Sequence, residues 1–581
     1  MQRRDHQPAC RATPRLPSDA WYGVACNMQD VDCGALISVC KDARDSVFNV
    51  LSERYGLNSE QVLAFAAVVM LGKSVFLTSG AGCGKTFCTK TITDVLVKQL
   101  GEGRVAVCAP TGTAARQAST LQLKAQTVHL LFGIQNRARL RGSQPFVFYS
   151  SSTRDADMEG DGEQLQHEQQ ANSDEDEDEP SASSGERALG APTAHITTQV
   201  AARLKALRVL ILDEVSMVSA EMLDVIDATL RAVRGATRPW GGCVVLAAGD
   251  FHQLSPVQTT RDLLRSDGKV FAFESDVWSS LKPLQLTQVV RQNDPTFAAV
   301  LNRVRVGKAT WSDVHWLERN STHFVPGKEA RRAMFQSNKR CEARNLVMMA
   351  RETGEEAKFH ASRYCLLMPD RDNDDFTWVS ESNLSGPIRY PSGRFAESLT
   401  LRVGARVACI KNMYSSSDAA CRVLLVSNGQ MGTVTGYEYE TQPNAAGAAP
   451  RPTGVHVKWD ALSSTVPKTT TVVRPVAWSK RQKFKHHGRK VKAVTRQLPL
   501  LPGFARTVHA SQGASIETEV DVDPLGWTRN ASGKWVPCPA LAYVALSRVT
   551  RVGLLRLVGR ISPDKVVADA RVVAYYASVF G

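Results

Sequence analysis

The sequence predicts an α/β chain of the doubly wound type, built in two blocks. Three observations carry this. Short apolar runs recur from Leu57 onward: "SVFLTSG", "RVAVCAP", "LRVLILDE" and "CVVLAAGD". Each is a few residues long and gives way to Gly, Pro, Ser or Asp, the pattern of buried parallel strands with functional C-terminal ends. Helical stretches alternate with them: after Lys85, apolar side chains at Cys88, Ile92, Val95 and Leu96 share one helix face. A second strand-and-helix block runs from about 331 to 581, interrupted by short β-like runs between about 401 and 496.

Taken in order, residues 1–55 read as an extension without strong periodicity. The opening "MQRRDHQPACRATPRLP" is arginine-rich and acid-poor, which suits either a mitochondrial targeting segment or an untargeted tail. Residues 56–285 form the first domain. It carries an insertion at about 135–198, rich in Gln, Ser, Glu and Asp, with too few apolar residues to offset ordering entropy, so disorder is expected over most of it. Residues 286–400 and 497–581 form the second domain, and 401–496 a small insertion within it. There "VSNGQMGTVTGY" contains Asn428-Gly429, a hairpin signal.

Of the 581 residues, 43% are hydrophobic, enough to bury sizeable cores. The longest apolar run, "VLAFAAVVML", is about half of what a bilayer crossing needs. The 13 cysteines include no C-x-x-C pair, and Cys26, Cys33 and Cys40 lie seven apart, nearer to a helix face than to a metal knuckle. Reduced intracellular thiols are expected. The net charge of +14 hides a division: residues 151–187 carry −11, which leaves +25 on the rest. So basic a body suits a polyanionic partner, nucleic acid first. The acidic segment reads either as a competitor of that partner, with Ser173 as a phosphorylation candidate, or as an inert solvated loop. Deleting 151–187 should then lower the DNA dissociation constant at low salt; an unchanged constant and unchanged unwinding would end the idea.

The chemistry begins at "SGAGCGKT", Ser79 to Thr86. A phosphate cradle needs backbone N–H groups that converge, and Gly80, Gly82 and Gly84 supply the conformational freedom. Ser79, Ala81 and Cys83 complete the loop, and the following helix turns its positive N-terminus to the phosphates. Lys85 would reach the β- and γ-phosphates, and the Thr86 hydroxyl would ligate Mg²⁺. Ser79 stands where the strict pattern has glycine, but it is small and Gly80 follows at once. "VLILDEVSM" adds an acidic pair at a strand end. Asp213 would hold Mg²⁺, and Glu214 would polarise the attacking water. Gln253, in "AAGDFHQLSPV", could sense the γ-phosphate. Arg291 in "VVRQNDPTF" and Arg548 in "AYVALSRV" are cations able to meet its developing charge from the second block. ATP and Mg²⁺ are the cofactors this pattern calls for.

In sequence, these segments resemble superfamily-one DNA helicases, specifically the Pif family and its RecD-like relatives, from about Leu57 to Leu557. "LNSEQ" resembles the family's adenine-reading element, which would put Gln61 on the base. "CAPTGTAARQA" and "TVHLLFG" resemble its strand-binding segments. "RAVRGATRPWGGCVVLAAGDFHQLSPV" is the most specific stretch, and "LNRVRVG", "RTVHASQGAS" and "AYVALSRVTRVGL" follow as the family would have them. The chain departs from it at Ser79, Cys83, Ser255 and Ala510. The resemblance implies two RecA-like P-loop domains with parallel sheets and an SH3-like β-barrel at 401–496. It also implies a monomeric motor that hydrolyses ATP, moves 5′ to 3′ on single-stranded DNA and unwinds fork or duplex DNA. By family position the strand would meet Thr111, Thr113, His129, Thr507, His509 and Ser511, with Tyr543 and Arg551 added from the last segment. Hydroxyls and a neutral imidazole bond phosphate without locking it, which suits a motor. The basic run "KRQKFKHHGRKVK" (480–492) reads as a DNA contact, a nuclear import signal or a solvated loop. No membrane partner is expected, and the nucleus or mitochondrion is the expected compartment. Two other readings stand: an RNA helicase or protein-stripping translocase of the same superfamily, and an ATP-gated scaffold without turnover.

Overall fold

The first apolar run becomes strand β1 (Val75–Ser79), buried along its whole length. The computed structural model describes residues 41–140, 146–148, 187–256, 268–290, 294–369, 375–391, 395–415, 424–440, 450–461, 469–523, 527–529, 535–559 and 561–581. The strands that follow are β2 (Val105–Ala109), β3 (Gln126–Thr127), β4 (Ile134–Leu140), β5 (Phe146–Phe148), β6 (Arg187–Ile196), β7 (Val209–Leu212), β8 (Val244–Gly249) and β9 (Lys282–Leu286). Six of them form one parallel sheet in the order β3-β2-β7-β8-β1-β9. Burial on both faces explains why these runs are continuously apolar rather than alternating. The helices of this lobe are α1 (Lys41–Tyr55), α2 (Ser59–Phe65), α3 (Lys85–Leu100), α4 (Gly112–Ala118), α5 (Val128–Phe132), α6 (Thr198–Ala206) and α7 (Ala220–Arg234). α7 shows why the boundaries fall where they do: Ser219 accepts the Met222 amide at its start, and Gly235 takes a left-handed φ of 60° at its end.

One expectation needs correction here. Residues 41–55 are not featureless: α1 buries Val50 and Leu51 in the core that also holds β1 and α3. At the rims of the 135–198 stretch, β4, β6 and β5 form a three-stranded sheet. The acidic run itself and the cysteines at 26, 33 and 40 lie outside the described residues. The described cysteines form no disulfide, and no described helix is long and apolar enough to cross a membrane.

The second block builds a smaller parallel sheet. Helices α8 (Pro295–Arg305) and α9 (Trp311–Asn320) lead to β10 (Ala333–Phe335) and α10 (Asn338–Arg351). The chain then leaves the sheet for a long antiparallel excursion, as β11 (Glu356–His360), β12 (Ser362–Leu367), β13 (Thr377–Val379), β14 (Ser398–Arg402), β15 (Arg406–Cys409), β16 (Met413–Tyr414), β17 (Leu424–Val426), β18 (Met431–Tyr439), β19 (Pro452–Trp459), β20 (Thr469–Val473), β21 (Val476–His486), β22 (Arg489–Gln497) and β23 (Leu500–Pro502). It returns with β24 (Ala505–Thr507) and β25 (Val520–Val522), a short hairpin of β26 (Trp527–Arg529) and β27 (Trp535–Pro537), helix α11 (Leu541–Leu546), β28 (Leu555–Leu557) and α12 (Ala570–Phe580). The parallel order is β24-β10-β25-β28.

The excursion therefore spans 356–502, wider than the expected 401–496. Its two larger sheets are a five-stranded one, β20-β19-β18-β15-β23, around the buried Trp459, and a four-stranded one, β13-β12-β22-β21; β11-β14 and β16-β17 form two-stranded pairs. Short strands from residues 356–379 supply partners that no local signal marks. The Asn428-Gly429 turn forms, with Gly429 at φ 85° and Gln430 N–H bonded to the Ser427 carbonyl at 3.0 Å. It is not a hairpin, because β17 pairs with β16 whereas β18 pairs with β15 and β19.

The two lobes share a seam. Leu254 from the first lobe is part of the second lobe's apolar core, with Ala81 packed against it. In return, α12 places Val572 and Tyr576 in the first lobe's core.

Candidate nucleotide site and nucleic-acid track

Parallel strands deliver their C-terminal ends to one edge, and here three neighbours do so. β1 runs into the glycine loop, β7 into Asp213 and Glu214, and β8, which lies between them, into Asp250 and Gln253. The loop closes with Gly82 at φ 86° and Gly84 at φ 80°, values only glycine adopts freely. Lys85 and Thr86 open α3. Thr86, Lys90 and Asp213 line one crevice beside it. Burial first, and then the neighbouring Glu214, push the Asp213 carboxyl above its usual range, with Lys85 opposing.

Glu214 sits in the left-handed region at φ 53°, and its Oε2 is buried without a partner. Gln253 is likewise buried with its Oε1 unpaired. An observed backbone outlier beside orphaned acceptors is what a site awaiting a charged ligand leaves behind. Among the described residues no cluster of three or more His, Cys, Asp or Glu gathers. Thr86 and Asp213 could thus hold Mg²⁺ only together with phosphate oxygens, the usual habit of that ion. The donor set fits.

The second lobe reaches into this edge. The Ala81 amide donates to the Tyr543 hydroxyl at 2.8 Å, and Tyr543 lies 3.3 Å from Asp250. Asp250 is fully buried and takes Arg305 of α8 at 2.7 Å, with Nε in reach of both carboxylate oxygens. Burial works against the Asp250 charge, but Arg305 outweighs it and holds the carboxyl below its ordinary range. The Arg305 guanidinium also lies 5.3 Å from the Tyr576 ring, whose hydroxyl meets Thr78 of β1 at 2.5 Å. Gly80 faces Asn302 and Arg305, and Gly513 approaches Gln117 and Glu214. Three second-lobe segments thus touch the loop and its acids.

The sequence candidates divide accordingly. Ser79, Gly80, Ala81, Gly82, Cys83, Gly84, Lys85, Thr86, Asp213, Glu214 and Gln253 come together at this edge. Gln61 is buried, and its amide nitrogen lies 3.4 Å from the Cys83 and Gly84 carbonyls while its oxygen caps α2. Its side chain therefore braces the loop, and reading a base would cost it those bonds. Arg548 is buried and turned onto its own lobe: Nε bonds the Val544 carbonyl at 2.8 Å and Nη2 the Ser547 hydroxyl. Arg291 lies outside the described residues; Val290, just before it, donates to the Gly82 carbonyl at 2.9 Å.

Tyr543 needs correction: it is 2% exposed beneath the phosphate loop, where no strand reaches it. Burial and the Asp250 charge push its phenol pKa up, so the hydroxyl stays protonated. Asp250, Arg305 and Tyr576 were missed. Asp250 and Arg305 stand inside quoted motifs, but their pairing, 55 residues apart, has no local signature.

The remaining candidates lie along the cleft where the excursion meets the first lobe. Thr111 caps α4 by accepting the Ala114 amide, and the Thr113 hydroxyl donates to the Asn428 carbonyl at 2.6 Å. Arg116 bonds the Leu425 carbonyl and the Gln430 side chain. Burial keeps the His129 imidazole neutral. Thr507 and Ser511 bond within their own turn, and Ser511 is fully buried; His509 and Arg551 are exposed. Burial and the neighbouring Arg332 lower the Arg506 pKa to about 10 beside this cleft, a sign of crowded positive charge.

The AAA domain family matches residues 56–324. The ATP-dependent DNA helicase PIF1 of Emericella nidulans is 26% identical over 545 residues, covering 88% of this chain and 62% of that protein. The protein of the same name from Rattus norvegicus is 29% identical over 379 residues, 64% of this chain and 49% of its own length. The chain thus spans about half to three fifths of these relatives. The crystal structure of a Bacteroides Pif1 helicase in complex with ADP-AlF3 and ssDNA superposes with a TM-score of 0.58 at 22% identity, covering 90% of this chain and 97% of that one.

Proposed function

This chain is a relative of the Pif1 DNA helicases, and from that premise we propose that it couples ATP hydrolysis to 5′-to-3′ movement on single-stranded DNA and to unwinding of duplex or forked DNA. One observation carries the reading: the phosphate loop sits at a seam that the second lobe enters through Tyr543, Arg305 and Gly513. Occupancy of such a seam changes the fit between lobes, and changes of fit are how a motor steps.

In this proposal Mg²⁺–ATP supplies a transferable γ-phosphoryl group whose bond to the β-phosphate is broken by water. Lys85 and the loop amides would bind the phosphates, and Thr86 and Asp213 would hold the ion. Glu214 accepts a proton from the attacking water, and Gln253 reports the γ-phosphate to β8. Arg291 and Arg548 supply positive charge from the second block. For Arg548 this requires release from the Val544 carbonyl, so its engagement would mark closure. DNA would run along the cleft bordered by Thr111, Thr113, His129, Thr507, His509 and Arg551; Ser511, fully buried and bonded to the Thr507 carbonyl, would support that turn from beneath rather than meet the strand. There Thr113 trades its bond to Asn428 for one to phosphate. The five-stranded sheet is read as an SH3-like barrel, each parallel sheet as a RecA-like domain, and the motor as monomeric, working in the nucleus or mitochondrion.

The test is unwinding of forked DNA with a single tail of either polarity, with and without ATP and Mg²⁺. We expect strand separation only with ATP, Mg²⁺ and a 5′ tail. Equal activity on a matched RNA fork would reassign the substrate, and unwinding from a 3′ tail alone would overturn the direction.

A further inference from the structure

The basic run at 480–492 folds as the β21–β22 hairpin, turned by His487 at φ 47° and Gly488 at φ 78°. This is a two-residue turn of the kind that matches strand twist. Register places four residues in one row across the four-stranded sheet: Trp378, Leu366, Lys492 and Arg481. Side chains in a cross-strand row share a face. Two positions along, Lys490 and Lys485 pair on that same face. Phe376 joins it, with the Lys492 ammonium 5.4 Å from its ring.

The opposite face is the buried one, packed through Cys365, Leu367, Val379, Val491 and Ala493. Apolar side chains scattered singly are normal on a solvated face, whereas adjacent exposed rings among cations are not. This one exposes Trp378 at 66% and Phe376 at 50%, side by side with four cations. Among the described residues Asp375 is an exposed acid beside them; Asp370, Asp372 and Asp374 precede it in sequence, outside the described residues. Exposed rings among cations are what single strands use: bases stack on the rings while Lys and Arg meet phosphates. Ring faces also favour the cations, which pre-positions them.

The platform adjoins the cleft. Asn412 bonds Asn428, the residue that holds Thr113, and its neighbour Lys411 donates to the Ala477 carbonyl of β21. From Ala477 to Arg481 is four residues, about 13 Å of extended strand.

We propose that this sheet face is a second binding platform for single-stranded nucleic acid, continuing outward from the interlobe cleft. It needs no nucleotide and so stands apart from the ATPase reading. The test uses the full chain and fluorescence anisotropy with labelled oligo-dT of about 10 nucleotides, which fills the cleft alone, and of about 30, which reaches the sheet. In a Trp378→Ala/Phe376→Ala variant, affinity for the long oligonucleotide should fall at least about tenfold. Affinity for the short one, and the ATPase it stimulates, should be unchanged. Trp378→Phe should restore most of the loss, as stacking requires. Lys485→Ala/Lys490→Ala should lower the salt slope of long-oligonucleotide binding by about 1.4. Unchanged long-oligonucleotide affinity in the ring variant would overturn the platform while leaving the motor reading intact. Equal loss for both lengths would also overturn it, because the sheet would then act through the cleft.

Discussion

Lys85→Ala should cut the ATP hydrolysis proposed above by about 10²-fold or more, while the protein should melt within a few degrees of its usual temperature. Removing one preorganised charge that meets developing negative charge costs on this scale. The fold tolerates the loss because Lys85 is only half-buried and forms no part of an apolar core. Its absence removes a charge that opposes the upward push of burial and Glu214, so the Asp213 carboxyl pKa should rise further in the variant. Glu214→Gln separates the roles: nucleotide binding should persist while turnover stops. The measurements are steady-state ATPase with oligo-dT, fluorescent-nucleotide affinity and thermal melting. Ordinary turnover in Lys85→Ala would mean that the site is misassigned.

Arg305→Ala has the largest expected effect on stability. It leaves Asp250 charged, fully buried and without its cation, at a cost of about 3–5 kcal/mol. The first melting transition should drop by roughly 10 °C. Arg305→Lys should rescue little, because the pair uses two guanidinium nitrogens and the group also lies against the Tyr576 ring. Asp250→Asn with Arg305→Met, which removes both charges, should recover much of the loss. The sign with pH follows from Asp250. Its folded pKa lies below the unfolded value of about 3.9, so the pair's contribution is present above that pH and is lost as pH falls through the folded pKa. A wild-type melting curve for Arg305→Ala at neutral pH would mean that the pair contributes nothing.

The sequence made the phosphate edge legible because its parts are contiguous. A strand, a glycine loop and a helix follow one another from Val75 to Leu100, and the second acid follows Asp213 directly. What it hid were partnerships across long separations. Asp250 meets Arg305, and Thr78 meets Tyr576 nearly 500 residues later; neither pair has a periodicity to find. Tyr543 was read as a strand contact because its motif is known by order, while its burial depends on how α11 packs. The wide excursion was underestimated for a similar reason. β12 and β13 are short and pair with each other, but the sheet they belong to is completed only when β22 returns to β12 more than a hundred residues later. Asn428-Gly429 shows the converse, a correct turn whose flanking strands chose other partners.

Helix α12 carries a mechanical consequence. The polypeptide crosses from the first lobe to the second after β9, then crosses back to bury Val572 and Tyr576 beneath β1. Two bodies joined by a single tether can swivel freely. With a pair of tethers, torsion about the joining direction is resisted, and rotation about the line through both anchor points remains the soft mode. The lobes are therefore built to gape and shut like a jaw.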